Sequence, residues 1–224
     1  MIMGAWGLGR KRGWTNPYVT DGLVAMWDGE WNAGGGVHDP AAAAWKDVVS
    51  GIIASSNSPF AVGDNFLQRT GSQIMSATLP VTIPANGNMA FEVVMQSNGR
   101  GNNGCATIGH GLLVTVKSDG VVYYGYSDTQ TQQVFNNTNV TNRNTYTLNR
   151  EGNTGIAAYF NGEYKKLSVN GMGDTSDANT ISLGGGRSAA YPMNYYCFRI
   201  YNRLLTADEI AANYAIDKER FNLP

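Results

Sequence analysis

The chain has 224 residues, with 16 Lys and Arg against 17 Asp and Glu and a formal net charge of -1. Charged residues make up 15%, well under the roughly 25% of an ordinary soluble domain, while 28 Gly is nearly twice the usual share of about 7%. That balance gives no chain-wide attraction for nucleic acid or anionic lipid, and no apolar run reaches the roughly 18 residues of a membrane span, so neither partner is expected.

Met1 to Tyr18 carries Gly at 4, 7, 9 and 13 with Trp6 and Trp14 between them, and follows neither the helical nor the strand period. It reads as an arm preceding a domain over residues 19–224. Its basic residues follow the short apolar stretch, which reverses the order of a secretory signal, so no signal peptide is expected. Trp6 and Trp14 are candidate anchors on a protein partner or a second copy of the chain. Arg10, Lys11 and Arg12 are candidates to pair with that partner's acidic groups.

The segment "GLVAMWD" from Gly22 to Asp28 is the first strand, followed by the Gly-rich loop "GEWNAGGGVHDP". "AWKDVV", "GIIASS", "LPVTIP" and "MAFEVVMQ" read as further strands, the last a central one. Trp27 and Trp45 lie inside apolar runs and belong to the core. "GLLVTVKSDGVVYYGYS" reads as a hairpin around Ser118, Asp119 and Gly120. "GIAAYFNGEYKKLS" gives a stronger one, because Asn161 and Gly162 can both take positive φ in a type I′ turn.

"TISLGGG" and "MNYYCFRIYNRLL" complete the strands. One helix follows, with Thr206 as N-cap, Glu209 as its capping-box partner and Leu205 stapled to Ile210. It is expected to dock by Ile210 and Tyr214 and to end near Arg220. Two cysteines, Cys105 and Cys197, are too few for a disulfide framework and read as reduced thiols. Repeated short strands with turns at this spacing predict an all-β sandwich or jelly roll.

Three stretches, "YVTDGLVAMWDG", "GIAAYFNGEYKKLS" and "FRIYNRLLTADEIAANY", together with "WKDVVSG", resemble the laminin-G-like members of the concanavalin A-like lectin and glucanase fold. The resemblance covers the chain from about Tyr18 onward. It implies a two-sheet antiparallel jelly-roll sandwich with one short C-terminal helix and with first and last strands adjacent. It implies no single activity, since this fold carries lectins, adhesion modules, hydrolases and structural domains. Laminin-G-like modules of this look occur in phage fibres and bacterial surface proteins.

Hydrolases similar to the laminarinases place carboxylates on one strand as Glu, any, Asp, any, any, Glu, which brings acid and nucleophile to about 5 Å. That pattern is absent; Asp28 and Glu30 in "WDGEW" come nearest and read as a solvated strand end. His38 and His110 stand in no nucleophile-elbow context. Asp28, Glu30 and Asp39 flank one Gly-rich loop and are the candidate calcium ligands, without EF-hand spacing; no other cofactor is expected.

A sugar site needs an aromatic face for the pyranose C–H groups and amides or carboxylates for the hydroxyls. Trp31 with Asn32, His38 and Asp39 fits that description. Tyr124 and Tyr126, which alternation sends to one face of a strand, form a second candidate. The expected function is therefore a non-catalytic module that recognises cell-surface glycans, displayed on a virion by the arm. A purely structural virion subunit and a glycoside hydrolase are the alternatives, and a bacterial surface or the cytoplasm the alternative settings.

Overall fold

The computed structural model describes residues 15–30, 44–56, 58–84, 86–97, 102–109, 112–117, 122–125, 131–135, 141–152, 154–168, 177–184 and 192–224. Two antiparallel sheets pack face to face.

The first sheet contains β1 (Leu23–Asp28), β4 (Ala61–Val62), β5 (Leu67–Arg69), β7 (Met89–Ser97), β12 (Asn144–Glu151), β13 (Gly155–Phe160), β14 (Glu163–Ser168) and β16 (Met193–Tyr201). Their order is β14-β13-β12-β7-β16-β5-β4, with β1 on the remaining length of β16. The second contains β2 (Ala44–Lys46), β3 (Ile53–Ser56), β6 (Met75–Ile83), β8 (Asn102–Ile108), β9 (Leu112–Lys117), β10 (Val122–Gly125), β11 (Thr131–Phe135) and β15 (Ala178–Leu183), in the order β11-β10-β9-β8-β15-β6-β3-β2. The first and last strands are adjacent, with Trp27 opposite Phe198.

Period-two alternation explains the layers. Along β6 buried and exposed residues alternate, with Met75, Ala77, Leu79 and Ile83 turned to the other sheet. Strands β7 and β16 are instead buried on both faces. Met89, Phe91, Val93 and Met95 of β7 face the core between the sheets with Tyr195, Phe198 and Ile200 of β16. Ala90 and Val94, with Tyr196, Cys197 and Tyr201, face outward under the helix. Trp27 and Trp45 are fully buried in the core, and Cys197 is a buried free thiol. Burial pushes that thiol well above its ordinary range, which keeps it protonated and unreactive.

Both turn signals are realised. Asn161 and Gly162 take φ of 50° and 77° between β13 and β14. Thr206 and Glu209 form the full capping box of α1 (Ala207–Phe221). Ile210 docks as expected, and Tyr214 packs only partly buried against the outer cluster. Ile210, Asn213, Asp217 and Phe221 are its buried residues, while Tyr214 is half-buried and donates its hydroxyl to the Pro224 carbonyl. Two polar residues turn inward because charged partners wait for them on the outer face of the first sheet.

Candidate functional site

Strand register fixes which loops share an end of the sandwich. Met193 opens β16 opposite Ser97, the last residue of β7, and opposite Arg69, the last of β5. Leu183, the last residue of β15, stands opposite Met75, the first of β6. The chain also leaves this end at Asp28, opposite Cys197, and returns to it at Ala44, the start of β2. The segment containing Trp31, Asn32, His38 and Asp39 therefore has both stems here. Those four residues lie outside the described ones, as do Tyr126 and the arm residues Trp6, Arg10, Lys11, Arg12 and Trp14. Tyr124 stands in β10 opposite Val114 and Gln132.

The two stems are stitched together by the tryptophans. Trp27 Nε1 donates to the Trp45 carbonyl at 2.9 Å, and Trp45 Nε1 donates to the Asp28 carbonyl at 3.0 Å. Each indole thus buries its apolar body and satisfies its N–H on the opposite stem. Just beyond, the buried Asp47 carboxylate accepts from the backbone N–H groups of Met26 (2.6 Å), Val49 and Ser50 and from the Ser50 hydroxyl. Val48 N donates back to the Met26 carbonyl, so the 47–48 turn pairs with the side of β1 that β16 leaves free.

Asp28 corrects the expectation of a solvated strand end, because it is wholly buried. Its oxygens accept from Arg220 Nη1 and Nη2 at 2.8 and 3.1 Å and from Glu30 N at 3.0 Å. Glu30 accepts from Arg220 Nη2 at 3.2 Å. Of the three calcium candidates, Asp28 and Glu30 thus share one guanidinium, and Asp39 is outside the described residues. Among the described residues no cluster of three His, Cys, Asp or Glu side chains could hold a metal ion.

Arg220 continues into a fully buried ionic layer beneath α1. Arg199 meets Asp217 through two bonds and Glu92 through Nε at 2.9 Å, while Asn213 Nδ2 donates to Glu92 at 2.7 Å. Thr145 and Thr147 donate to Asp217 and Glu92. Tyr18, itself buried, donates to Asp217 at 2.8 Å and accepts from Arg220 at 2.8 Å, with the Arg199 guanidinium 4.0 Å from its ring centre. Burial, then the Asp217 charge, pushes the Tyr18 hydroxyl well up. Burial would lower the Arg199 value, and Asp217 and Glu92 more than restore it. This layer ties the stem of the 31–43 segment to the C-terminal helix.

Sequence reasoning passed over a polar row on the outer face at the same end. Gln68 donates to Asn194 at 3.0 Å, Asn194 and Tyr196 donate to Gln96 at 3.2 and 2.9 Å, and Gln96 donates to the Thr141 carbonyl. The signal was available in β5, where "LQR" alternates in, out, in, and in the lone amide of "MNYYCF".

The sequence matches no protein-family model and none of the curated proteins. Its fold matches solved structures. The sialidase of Trypanosoma rangeli superposes with a TM-score of 0.67 at 14% identity, over 89% of this chain and 33% of that one. The binding domain of botulinum neurotoxin serotype D gives 0.68 at 12% identity, over 89% of this chain and 53% of that one. The receptor binding domain of the C/D mosaic serotype gives 0.67 at 12%, over 89% and 52%. The likeness is one of fold. The chain spans about a third of the sialidase and about half of the toxin domains.

Proposed function

We propose that the chain is a non-catalytic glycan-recognition module, with the 31–43 segment as its reading loop. The observation that carries this is the cross-stitching of the loop's stems by Trp27, Trp45 and Asp47 and its clamping by Arg220. A recognition loop gains affinity when its geometry is set before the ligand arrives, and both stems here are set. Trp31 supplies the stacking face, with Asn32, His38 and Asp39 as hydrogen-bonding groups. The fold supports the reading by analogy, since the similar structures include a sialidase solved with sialic acid and two toxin binding domains.

The non-catalytic part of the proposal draws on the Asp28–Glu30 pair. Buried Asp28 and its neighbour both meet Arg220, so the closest approach to a glycosidase pair is already engaged by a cation. The arm over residues 1–18 is the proposed attachment to a larger particle, such as a phage virion. A glycan array tests the recognition: the protein should bind a subset of glycans and lose them on Trp31→Ala with its melting temperature kept. Absence of binding across the array would leave the structural-subunit alternative. Glycan cleavage abolished by Glu30→Gln would establish the hydrolase instead.

A further inference from the structure

Three arginines other than Arg69 that turn inward among the described residues are paired. Arg150 donates to the Pro84 and Gly87 carbonyls, Arg199 to Glu92 and Asp217, and Arg220 to Asp28, Glu30 and Tyr18. Arg69 is different. It is 5% exposed, its Nε has no hydrogen-bond partner, and no carboxylate among the described residues forms an ion pair with it.

Its place follows from β5. Leu67 faces the core, Gln68 faces outward to Asn194, and Arg69 returns to the inner face opposite Met193, at the end of the sandwich from which the 31–43 segment leaves. Gly184 makes room for it. At φ of 81°, a Cβ on Gly184 would stand 2.9 Å from Arg69 Cδ and 2.7 Å from the Gln73 carbonyl. Thr70, the next residue, is exposed, so the chain reaches the surface immediately after Arg69.

An arginine 5% exposed, with no carboxylate pairing it among the described residues and its Nε left without a hydrogen bond, is costly, and an apolar residue of similar length would fill this position at less cost. Its planar fork matches the two oxygens of a carboxylate. We infer that Arg69 is the anchor for the carboxylate of an acidic sugar entering at the loop-bearing end. The inference rests on the glycan-recognition reading and narrows its ligand to carboxylate-bearing glycans.

The test is an amide NMR titration of the intact chain with glucuronic acid, in parallel with glucose, acetate, sulfate and a glutamate-containing peptide. Glucuronic acid should give saturable shifts at Thr70, Gly184 and Met193, with glucose giving none there and the other anions much weaker ones. Arg69→Met should keep the fold, with an unchanged or higher melting temperature, and weaken glucuronic acid binding about tenfold or more. Arg69→Lys, which keeps the charge and loses the fork, should weaken it as well. Shifts unaltered by Arg69→Met, equal shifts from the peptide, acetate or sulfate, or no shift in the wild-type protein would each overturn the inference. Neutral glycans captured on the array with equal strength by wild type and Arg69→Met would leave the glycan reading standing without this anchor.

Discussion

Arg199 and Asp217, 18 residues apart, meet through two parallel hydrogen bonds of 2.7 and 2.6 Å with both side chains fully buried. A pair of this kind is costly to break from one side, because the survivor is left charged in a dry layer. Asp217→Ala should therefore lower unfolding free energy by about 3–5 kcal/mol, measured by urea denaturation. A change within about 1 kcal/mol would show that water fills the gap and that the layer is less closed than its geometry.

The stitching of the loop stems predicts a local effect. Trp45→Phe keeps most of the packing but removes the donor to the Asp28 carbonyl, at a cost of about 1–3 kcal/mol. Hydrogen exchange at Gly29 and Glu30 should accelerate more than at Val93 or Leu148. Uniform acceleration would mean that the indole serves the core alone.

The hairpin turn carries a stereochemical prediction. Gly162 stands at φ of 77°, and a Cβ there would come within 2.9 Å of Tyr214 Cδ1. Gly162→Ala should cost about 1–2 kcal/mol for the left-handed backbone, with the displacement of Tyr214 in addition. Thermal unfolding of the variant against wild type measures it, and an unchanged melting temperature would contradict the turn geometry.

Acid should act through two carboxylates of opposite sign. The bond from Arg203, with help from the Thr206 backbone, holds the Glu209 carboxyl at about 2, below its ordinary 4.5. A lowered value means that the unfolded chain takes the proton first, so this contribution is complete above 4.5 and is lost as pH falls toward 2. Glu92 runs the other way. Burial pushes it up and Arg199 restores only part, so its contribution is complete below 4.5 and declines as pH rises through the folded value. Urea midpoints across pH should lose the low-pH limb in Glu209→Gln and flatten above 4.5 in Glu92→Gln. Coincident profiles for wild type and both variants would refute the assignment.

Local signals were legible where the chemistry is local. The Thr206–Glu209 box and the Asn161–Gly162 turn each need only a few consecutive residues, and both formed as read. The sandwich followed from strand spacing, and the buried tryptophans from their apolar flanks. The partners of Asp28 were not legible, because Arg220 lies 192 residues away and only the closed sheet brings it there. Inward-turned Asn213 was missed for the same reason, since its partner Glu92 is on β7. A trace of the layer was nevertheless present: Glu92 and Arg199 are lone charges inside the runs "MAFEVVM" and "YYCFRIY", and a charge in a buried strand needs an opposite one. That no carboxylate among the described residues pairs with Arg69 has no counterpart in sequence, because it depends on which side chains the closed sheets bring beside it.

Strand β16 lies between β7 on one side and β1 and β5 on the other, yet it is the last strand in the chain. During synthesis the centre of the first sheet is therefore the last part of it to leave the ribosome, and until then β1, β5 and β7 have no common neighbour. Sequence separations this large make for slow closure and leave strand edges uncovered meanwhile. A growing chain that has not yet reached β16 thus holds this sheet as three unjoined pieces, β14-β13-β12-β7, β5-β4 and β1, a natural client for chaperones.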